Sequence, residues 1–591
     1  MVAWFIRIKD EKAQQNNTIS LLDNIIKLEY VDFISFSSQV LLMNTPINQQ
    51  RRKFLQYSSI AATAASFPSL TNAALPGAVN KPSANFHADV EIELKMESVT
   101  IPIFKGPDTR VWKVYGKVLK GSSHTIENIP ASYLAPILHL KKGQKVRIYL
   151  KNNLPAESIL HWHGLHVPSK MDGNPMYAIN HGESFVYEFE ILNRAGTYWY
   201  HAHTHSVTAK QVYSGLAGLI IVTDPEEQAL QLPRGQYDVP LAIQDRSFDQ
   251  NNQLSYSNNM MQKMRGFLGN QIMINGQPDF VLPVETRSYR LRLLNGSNSR
   301  IYKLAWDDGS PITVIATDGG LLEKPETVPY VMLAPAERRE IWVDFSNQPV
   351  GTELTLRSIP FEGASMHGMM GGGMGGRMGG GGMMGMRGGR MGGGMMGMRG
   401  GMGGMMGGSE LPLGGDYPVL KVKVVKKSAS NSPLPDRLLP MQSLNINDAA
   451  NPENPRVIRL SMRHMSALLN GRSYKMNDIR PDEVIPVNTL QLMQFDNGFT
   501  GGHGMAMPHP MHLHGEQFQI VKREVNPRFR QAHASIAKGL VDQGWKDTVL
   551  VMPGERVTLL KPFNDYTGPF MYHCHNLEHE DLGMMRDLLI K

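Results

Sequence analysis

The chain has 591 residues, of which 41% are hydrophobic and 19% charged, and its formal net charge is +7. This length exceeds what one hydrophobic core supports, so we expect roughly three or four domains of a soluble globular protein. No compact stripe of Lys and Arg with interleaved aromatics accompanies the positive charge, which argues against nucleic-acid binding, and a single cysteine excludes an intrachain disulfide.

An export signal is predicted near the N-terminus. A basic run at residues 51–53 is followed by an apolar stretch at 58–67 and by small residues at 71–74. The apolar stretch is shorter than the about 18 residues of a membrane span, so we expect a cleaved signal and no stable membrane anchor. Its Arg-Arg-Lys-Phe-Leu core resembles a twin-arginine signal, which implies transient contact with the twin-arginine export machinery and a periplasmic or otherwise exported protein. A disordered basic tail is the alternative.

Short strands are predicted from about residue 87 to 224. In the stretch 185–191, aromatic and aliphatic residues alternate with mostly polar ones, and Val146, Ile148 and Leu150 follow the same period of two. Glycine and proline separate the segments. This pattern is typical of a β-sandwich rather than of alternating strands and helices.

Two histidine pairs lie in this predicted sandwich. His161 and His163 form the first pair, and His201 and His203 follow forty residues later within Gly-Thr-Tyr-Trp-Tyr-His-Ala-His. Side chains at i and i+2 of a strand share a face, so each pair could converge on a metal ion. One such pair alone is weak evidence.

A middle unit of similar size is predicted from about residue 236 to 427. Strand signals occur at 289–293 and 340–345, and no histidine precedes His367. The scaffold of this unit therefore cannot supply imidazole ligands, and we expect it to space the two outer units.

Residues 366–406 interrupt all periodicity. They contain fifteen methionines among glycines, four arginines, His367 and no acidic residue. Such a glycine content cannot bury a core, so the sequence predicts a mobile segment. Thioethers are soft ligands that favour Cu(I). We interpret the segment as a copper-collecting loop, with a plain low-complexity insertion as the alternative.

The histidine pattern of the first sandwich recurs near the C-terminus. His512-Leu513-His514-Gly515 corresponds to the earlier His-x-His-Gly, and residues 568–575 repeat the pattern Gly-x-aromatic-x-Tyr-His-x-His. A repeat of this kind indicates duplicated domains. Each copy contributes four paired histidines, and all eight could meet between the first and last domains.

The only cysteine, Cys574, lies between His573 and His575, and His579 and Met584 follow it. If this stretch is extended, the cysteine points to one face and its two neighbours to the other. The sulfur could then hold one metal ion while the flanking imidazoles hold another. A thiolate, imidazoles and a distant thioether describe a blue-copper site.

These four motifs resemble those of the multicopper oxidases, and the resemblance covers the chain from about residue 88 to 591. It implies an all-β fold of three cupredoxin-like Greek-key β-sandwich domains that holds four copper ions, one type 1, one type 2 and two type 3. The type 1 copper would be bound by His509, Cys574, His579 and Met584. The type 2 copper would be bound by His161 and His512, and the type 3 pair by His163, His201, His203, His514, His573 and His575.

Among bacterial members the chain is most similar to the periplasmic cuprous oxidases of copper tolerance, which also carry a twin-arginine signal and a methionine-rich insertion. The acidic proton donors of the family match Asp172 and Glu580. Where those enzymes place an aspartate and a methionine before the first type 1 histidine, Met507 matches and the aspartate is missing. We expect substrate Cu(I) to be bound by Met507 and by loop methionines, namely Met366, Met369, Met370, Met405 and Met406.

The resulting domain organisation has four parts. The upstream region and signal occupy 1–87, the first sandwich 88–230, the second 231–434 with its insertion at 363–408, and the third 435–591. The resemblance implies that O₂ is reduced to water with Cu(I), or a small aromatic reductant, as electron donor. A laccase-like oxidase of phenols or diamines is the first alternative. A copper-binding or scaffold protein without catalysis is the second.

Overall fold

The computed structural model describes residues 78–256, 259–363, 411–463, 465–499 and 507–591. The predicted signal segment and the five predicted loop methionines lie outside the described residues. In the described ranges, no helix combines the length and the apolar character needed to cross a membrane.

The first sandwich contains nine described strands. They are β1 (Val90–Ile101), β2 (Thr109–Lys120), β3 (Ile126–Glu127), β4 (Ile137–Lys141), β5 (Lys145–Asn152), β6 (Leu160–His163), β7 (Ser184–Glu190), β8 (Gly196–Ala202) and β9 (Ala217–Thr223). Two sheets result, ordered β2-β1-β5-β7 and β3-β4-β9-β8-β6. Every second side chain of β1 from Val90 to Met96 is buried, which directs one face of the strand into the core.

The second sandwich contains twelve described strands. They are β10 (Asp238–Arg246), β11 (Gln271–Ile274), β12 (Gln277–Pro278), β13 (Val281–Glu285), β14 (Ser288–Asn295), β15 (Tyr302–Trp306), β16 (Ile312–Thr317), β17 (Gly320–Val328), β18 (Val331–Leu333), β19 (Arg338–Asp344), β20 (Glu353–Ser358) and β21 (Tyr417–Lys426). Their sheets are ordered β12-β11-β10-β14-β19-β16-β17 and β13-β21-β20-β15-β18.

The third sandwich contains ten described strands. They are β22 (Arg456–Arg463), β23 (Ser466–Leu469), β24 (Val484–Ile485), β25 (Thr489–Asn497), β26 (His509–Leu513), β27 (Gln519–Val525), β28 (Thr548–Val551), β29 (Glu555–Phe563), β30 (Gly568–Cys574) and β31 (Met585–Ile590). Their sheets are ordered β23-β22-β25-β29-β27 and β24-β31-β30-β26-β28.

Each sandwich encloses its own apolar cluster, to which both of its sheets contribute. The predicted all-β fold of three cupredoxin-like sandwiches is therefore confirmed. Five short α-helices are described outside the sheets, α1 (Thr208–Ser214), α2 (Pro225–Ala229), α3 (Met260–Arg265), α4 (Arg530–Ala534) and α5 (Leu577–Asp581). The domain boundaries stay predictions, and the strands of each sandwich fall within the interval expected for it.

The duplicated motifs occupy equivalent places in the outer sandwiches. β6 pairs with β8 so that His161 lies opposite His201, and β26 pairs with β30 so that His512 lies opposite His573. Side chains directly opposite on antiparallel strands are close neighbours. Each outer sandwich therefore presents one cross-strand histidine pair from two adjacent antiparallel strands.

The glycine that opens each repeated motif lies at a contact between sandwiches. A Cβ added at Gly196 would lie 3.0 Å from the Cα of Gly320, and one added at Gly568 would lie 2.8 Å from the Oγ of Ser169. A side chain at either position would push the domains apart, which explains this part of the motif.

Candidate metal centres

The first candidate centre lies where β26 begins and β30 ends. The Sγ of Cys574 is 3.5 Å from His509 Nδ1 and 3.8 Å from His579 Nδ1, and these two nitrogens are 3.3 Å apart. All three residues are buried. Burial raises the pKa of the Cys574 thiol, so a metal ion would have to displace its proton on binding.

Met584 is held beside this cluster by the backbone. Its N–H donates to the carbonyl of His579 at 2.9 Å, and its own carbonyl accepts from Cys574 N–H at 3.0 Å. The side chain is fully buried in the apolar cluster that contains Cys574. Met507 is also buried, and its carbonyl accepts from Asn497 Nδ2 at 2.7 Å.

The second candidate centre consists of three histidine groups between the outer sandwiches. In one group, His573 Nε2 lies 3.2 Å from His203 Nε2 and 3.1 Å from His514 Nε2. In another, His201 Nε2 lies 3.4 Å from His163 Nδ1 and 3.4 Å from His575 Nε2. Each of these two groups contains histidines from both outer sandwiches, so neither group forms until the first and third sandwiches dock.

The third group is the pair His161 and His512. Their Nε2 atoms are buried and have no hydrogen-bond partner among the described residues. Their Nδ1–H groups donate to the carbonyl oxygens of Asp172, at 2.6 Å, and Asp547, at 2.8 Å. Since a carbonyl can only accept, this contact fixes the tautomer and leaves each Nε2 lone pair free for a metal ion.

One histidine presents the opposite nitrogen to its group. His163 approaches its group through Nδ1, because its Nε2 lies 3.0 Å from Asp547 Oδ1 and 3.1 Å from Thr548 Oγ1. The other seven histidines of the second centre have Nε2 toward their group or free of protein partners. The contacts of His163 Nε2 with Asp547 and Thr548 therefore distinguish His163 from the other seven histidines.

Asp172 and Asp547 play equivalent parts from opposite sandwiches. The carbonyl of Asp172 accepts from His161, and its carboxylate accepts from His514 Nδ1–H at 2.7 Å. Asp547 likewise uses its carbonyl for His512 and its carboxylate for His163. Each aspartate thus ties a histidine of its own sandwich to one of the other.

Sequence reasoning identified Asp172 and missed Asp547. Asp172 follows His161 by eleven residues, whereas Asp547 follows His512 by thirty-five, so the repeat in sequence does not extend to the aspartates. The only signal was the position of Asp547 immediately before β28, the strand that pairs with β26.

Helix α5 contacts both centres and two neighbouring sandwiches. The carboxylate of Glu580 lies 3.1 Å from His573 Nδ1 and 3.8 Å from His203 Nε2, while His579 belongs to the first centre. Although burial opposes ionisation, the imidazoles of His573 and His203 hold the pKa of Glu580 below its usual range. The helix therefore joins the two centres through adjacent residues.

The outer residues of α5 were not predicted from the sequence. Glu578 accepts hydrogen bonds from Tyr256 Oη, Phe267 N–H and Asn298 Nδ2, all of the middle sandwich. Asp581 accepts from two backbone N–H groups at the start of α1, which belongs to the first sandwich. These contacts fix α5, and hence His579, against both neighbours.

Eight of the ten candidate ligand histidines have a pKa that favours the neutral state required for metal binding. Burial lowers the pKa of these eight, to about 3 for His203, to about 4 for His579, and well below the usual value for His163, His201, His509, His512, His514 and His575. A neutral imidazole offers a lone pair at pH 7. Thiolate, thioether and imidazole donors in these groupings fit copper.

The middle sandwich does more than space the outer two. It supplies no histidine among the described residues, as expected, but Arg338 at the start of β19 donates to both carboxylate oxygens of Asp547. Besides the spacing expected for it, this unit therefore contacts a residue that holds a candidate ligand. Asp547 in turn contacts His163, so Arg338 is connected to this candidate ligand through a single residue.

Known protein families resemble this chain in both outer sandwiches. Residues 111–227 and 447–591 match two family models, each described as multicopper oxidase. The multicopper oxidase mco of Staphylococcus aureus is 28% identical over 80% of this chain and 85% of its own length. The laccase of Bacillus subtilis is 26% identical over 84% of this chain and 93% of its own length. The cell division protein FtsP of Escherichia coli is 34% identical over 50% of this chain and 60% of its length.

Solved structures show the same likeness over most of the chain. The McoA multicopper oxidase of Aquifex aeolicus is 31% identical with a TM-score of 0.66, and the match covers 86% of this chain and 97% of that one. A multicopper oxidase of Campylobacter jejuni, described as a metallo-oxidase, is 26% identical with a TM-score of 0.62 over 85% of this chain and 91% of that one.

Proposed function

The chain belongs to the multicopper oxidases, copper-containing oxidoreductases that use oxygen, and from this premise we propose that it oxidises Cu(I) to Cu(II) in copper detoxification. In the proposed reaction, four Cu(I) ions each give one electron, and one O₂ with four protons becomes two waters. The convergence of twelve donor residues into one cluster around Cys574 and three histidine groups is the observation that carries this proposal.

The proposed copper assignment follows these groups. The type 1 copper is assigned to His509, Cys574 and His579, with Met584 as the weak axial ligand. The type 2 copper is assigned to His161 and His512. One type 3 copper is assigned to His203, His514 and His573, and the other to His163, His201 and His575. The distances within the two three-histidine groups and around Cys574 support a total of four coppers, as does the placement of the ligand atoms of His161 and His512 within 4.8 Å of each other.

Bound copper would accept single electrons at the first centre and reduce oxygen at the second. The chain supplies the connection between them, since Cys574 is bonded through its own backbone to His573 and His575. All three side chains are buried, so this connection excludes water. An electron that reaches the sulfur therefore has a short covalent route to two histidine groups.

Asp172 and Glu580 are the proposed proton carriers. Both are buried beside the second centre, and Asp172 Oδ1 and Glu580 Oε1 accept no hydrogen bond from a protein donor among the described residues. Carboxylate oxygens that are buried without donors have room to accept a proton or a water. Orientation of the histidines alone is the alternative role for each.

Methionines near the first centre support Cu(I) as the substrate. Helix α3 packs against α5, and the carbonyl of Met264 lies 3.2 Å from His579 Nε2. Met261 on the same helix is 52% exposed and Met465 is 54% exposed. Exposed thioethers suit a soft cation, and Met261 lies on the helix whose Met264 carbonyl contacts His579. The methionine-rich composition of residues 366–406 also suits such a cation.

Two alternatives remain. A laccase-like oxidation of phenols or diamines is favoured by the likeness to the Bacillus laccase. A scaffold role without catalysis is suggested by the likeness to a cell division protein, but an inactive relative is expected to lose metal ligands, and here none is missing. Export by the twin-arginine route into the periplasm fits the proposed role in copper detoxification.

Oxygen consumption distinguishes these functions. The purified protein, loaded with copper and with its copper content measured, is given either Cu(I) or a phenol as sole reductant. We expect faster oxygen uptake with Cu(I). Faster uptake with the phenol would establish the laccase-like alternative, and no uptake with any reductant at full copper loading would refute the oxidase proposal.

A further inference from the structure

Arg338 lies at the junction of all three sandwiches. This fully buried residue of the middle sandwich donates from Nε to the carbonyl of Thr197 in the first sandwich at 2.9 Å. Its Nη1 donates to Asp547 Oδ1 in the third sandwich at 2.7 Å, and its Nη2 donates to Asp547 Oδ2. Nη2 also donates to the carbonyl of Asp318 at 3.0 Å. The guanidinium plane is thereby fixed from several sides.

The carboxylate that Arg338 fixes is the one that holds His163. Asp547 Oδ1 lies 3.0 Å from His163 Nε2 and accepts from Thr548 Oγ1 at 2.9 Å. Both carboxylate oxygens of Asp547 accept from the Arg338 guanidinium, which can only donate. The carboxylate therefore faces His163 as an acceptor, so His163 carries its proton on Nε2 and directs the Nδ1 lone pair toward His201 and His575.

We propose that Arg338 is a positioning residue that, through Asp547, fixes the tautomer and orientation of His163 and so completes the copper group of His163, His201 and His575. This inference rests on the proposed copper assignment. In this role the middle sandwich, which supplies no ligand among the described residues, takes part in assembling the second centre.

The comparison with Asp172 supports a specific role for the arginine. Asp172 holds His514, which presents the ordinary Nε2, and among the described residues its carboxylate forms ion pairs with histidines alone. Asp547 holds the one histidine of the second centre that presents Nδ1, and it carries a two-bond guanidinium contact. Buried ion pairs are poor sources of net stability, so stability alone gives little reason for this contact.

The chain offers a matched control in Arg292. This arginine is also buried in the middle sandwich, pairs with Asp238 and Glu340, and donates to Thr197 Oγ1 of the first sandwich at 3.2 Å. Among the described residues, it contacts no candidate ligand. Arg292→Gln therefore removes a comparable interdomain arginine without touching the second centre.

The test measures copper content and spectroscopy in full-length wild type, Arg338→Gln, Arg338→Lys and Arg292→Gln. Copper per chain, the blue absorption of the type 1 site and electron paramagnetic resonance are recorded, because a coupled type 3 pair is silent and an uncoupled copper is not. We expect Arg338→Gln to keep the blue absorption but to bind copper at the His163 group roughly 10- to 100-fold more weakly. Uncoupled copper should then appear, and Arg292→Gln should resemble wild type.

Arg338→Lys keeps the charge but cannot bond both carboxylate oxygens in a fork, so a partial loss of coupling is expected. If Arg338→Gln does not fold, the coupling measured in Arg338→Lys decides whether Arg338 has the positioning role. An intact silent pair in the folded Arg338 variants, or equal copper loss in Arg292→Gln, would overturn the positioning role. A wild type without blue absorption would instead refute the proposed copper assignment itself.

Discussion

A single residue, Cys574, separates two clusters that lie on opposite sides of one strand. Because side chains alternate along β30, its sulfur faces His509 and His579 while His573 faces the histidines of the other centre. His575 follows the end of the strand and faces His201. The three consecutive residues His573, Cys574 and His575 therefore contribute to both candidate centres, which are linked through the backbone of this tripeptide.

Replacement of this cysteine tests the shared route. In Cys574→Ser, the hydroxyl is a harder and far less acidic ligand than the thiol, so we expect loss of the blue absorption and a fall of oxidase turnover to background. The copper-free variant should melt close to wild type, because the oxygen is only slightly smaller than the sulfur and can still accept from Asn576 N–H. Visible spectroscopy, oxygen uptake and calorimetry measure these outcomes.

Met584→Leu is the graded control for the cysteine variant. It removes only the weak axial thioether and should retain the blue absorption with an altered reduction potential. Full oxidase turnover in Cys574→Ser would contradict the assigned electron route.

The residues that sequence could identify are those in local motifs. The histidines and Cys574 stand at short spacings that strand periodicity explains, and the structure brings them together in the expected combinations. Asp547 and Arg338 could not be found in this way. Asp547 is 384 residues from His163, and Arg338 is 209 residues from Asp547. Only the packing of three sandwiches makes them neighbours.

At the scale of elements, α5 shows how contacts from outside can stabilise a helix. Five residues are too few to form a stable helix alone. Asn576 caps its start by accepting from His579 N–H at 3.3 Å, and Glu578 and Asp581 bind the second and first sandwiches. The sequence predicted the ligand His579 but not this helix, because its stability comes from distant partners.

The methionine-rich segment is the element whose contribution is best tested by deletion. The described residues on either side of it meet, since Phe361 N–H donates to the carbonyl of Gly414 at 3.3 Å. Removal of residues 366–406 therefore need not strain β20 or β21. We expect slower Cu(I) oxidation and equal or faster turnover of bulky aromatic donors, measured by oxygen uptake with each reductant.

A second variant separates thioether chemistry from steric screening. Replacement of the fifteen methionines by leucine keeps the length of the segment and removes the soft ligands. It should slow Cu(I) oxidation as the deletion does while leaving aromatic turnover at the wild-type rate. Unchanged rates for both reductants in the deletion would show that the segment takes no part.

For the whole molecule, docking of the sandwiches and formation of the second centre are one event. Each histidine group takes members from both outer sandwiches, and Arg338 ties the middle one to them. The family resemblance implied the number of sandwiches, and the repeat allowed the meeting of the outer two to be predicted. The role of the middle sandwich in the second centre could not be predicted, because the sequence around a single arginine in a strand does not indicate which residue it will contact.

The buried histidines make the stability of the copper-free protein dependent on pH. Eight candidate ligands have pKa values lowered by burial, to about 4 for His579 and about 3 for His203. In the unfolded chain they titrate near 6.5. Below that pH the unfolded state binds more protons, so stability is complete above about pH 6.5 and is lost as pH falls toward 4 and 3.

We therefore expect the melting temperature of the copper-free protein to fall steadily from pH 7.5 to pH 4.5. A histidine with a pKa near 4 contributes on the order of 3 kcal/mol. Four carboxyl groups whose pKa burial raises titrate in the opposite sense, namely Glu326, Glu578, Asp581 and Asp587. Because they are fewer than the histidines, the net slope should keep its sign.

Calorimetry of metal-free and copper-loaded protein across this range measures the effect. Copper should raise the melting temperature most above pH 6.5, because protons compete for the same nitrogens at lower pH. His139→Gln is a matched control, since His139 is partly exposed and its ion pair among the described residues is with Glu127. The pH profile of this variant should follow that of wild type. A metal-free melting temperature that does not change between pH 7.5 and 4.5 would mean that the imidazoles are not buried in the neutral state, and the ligand groups would then not be preformed.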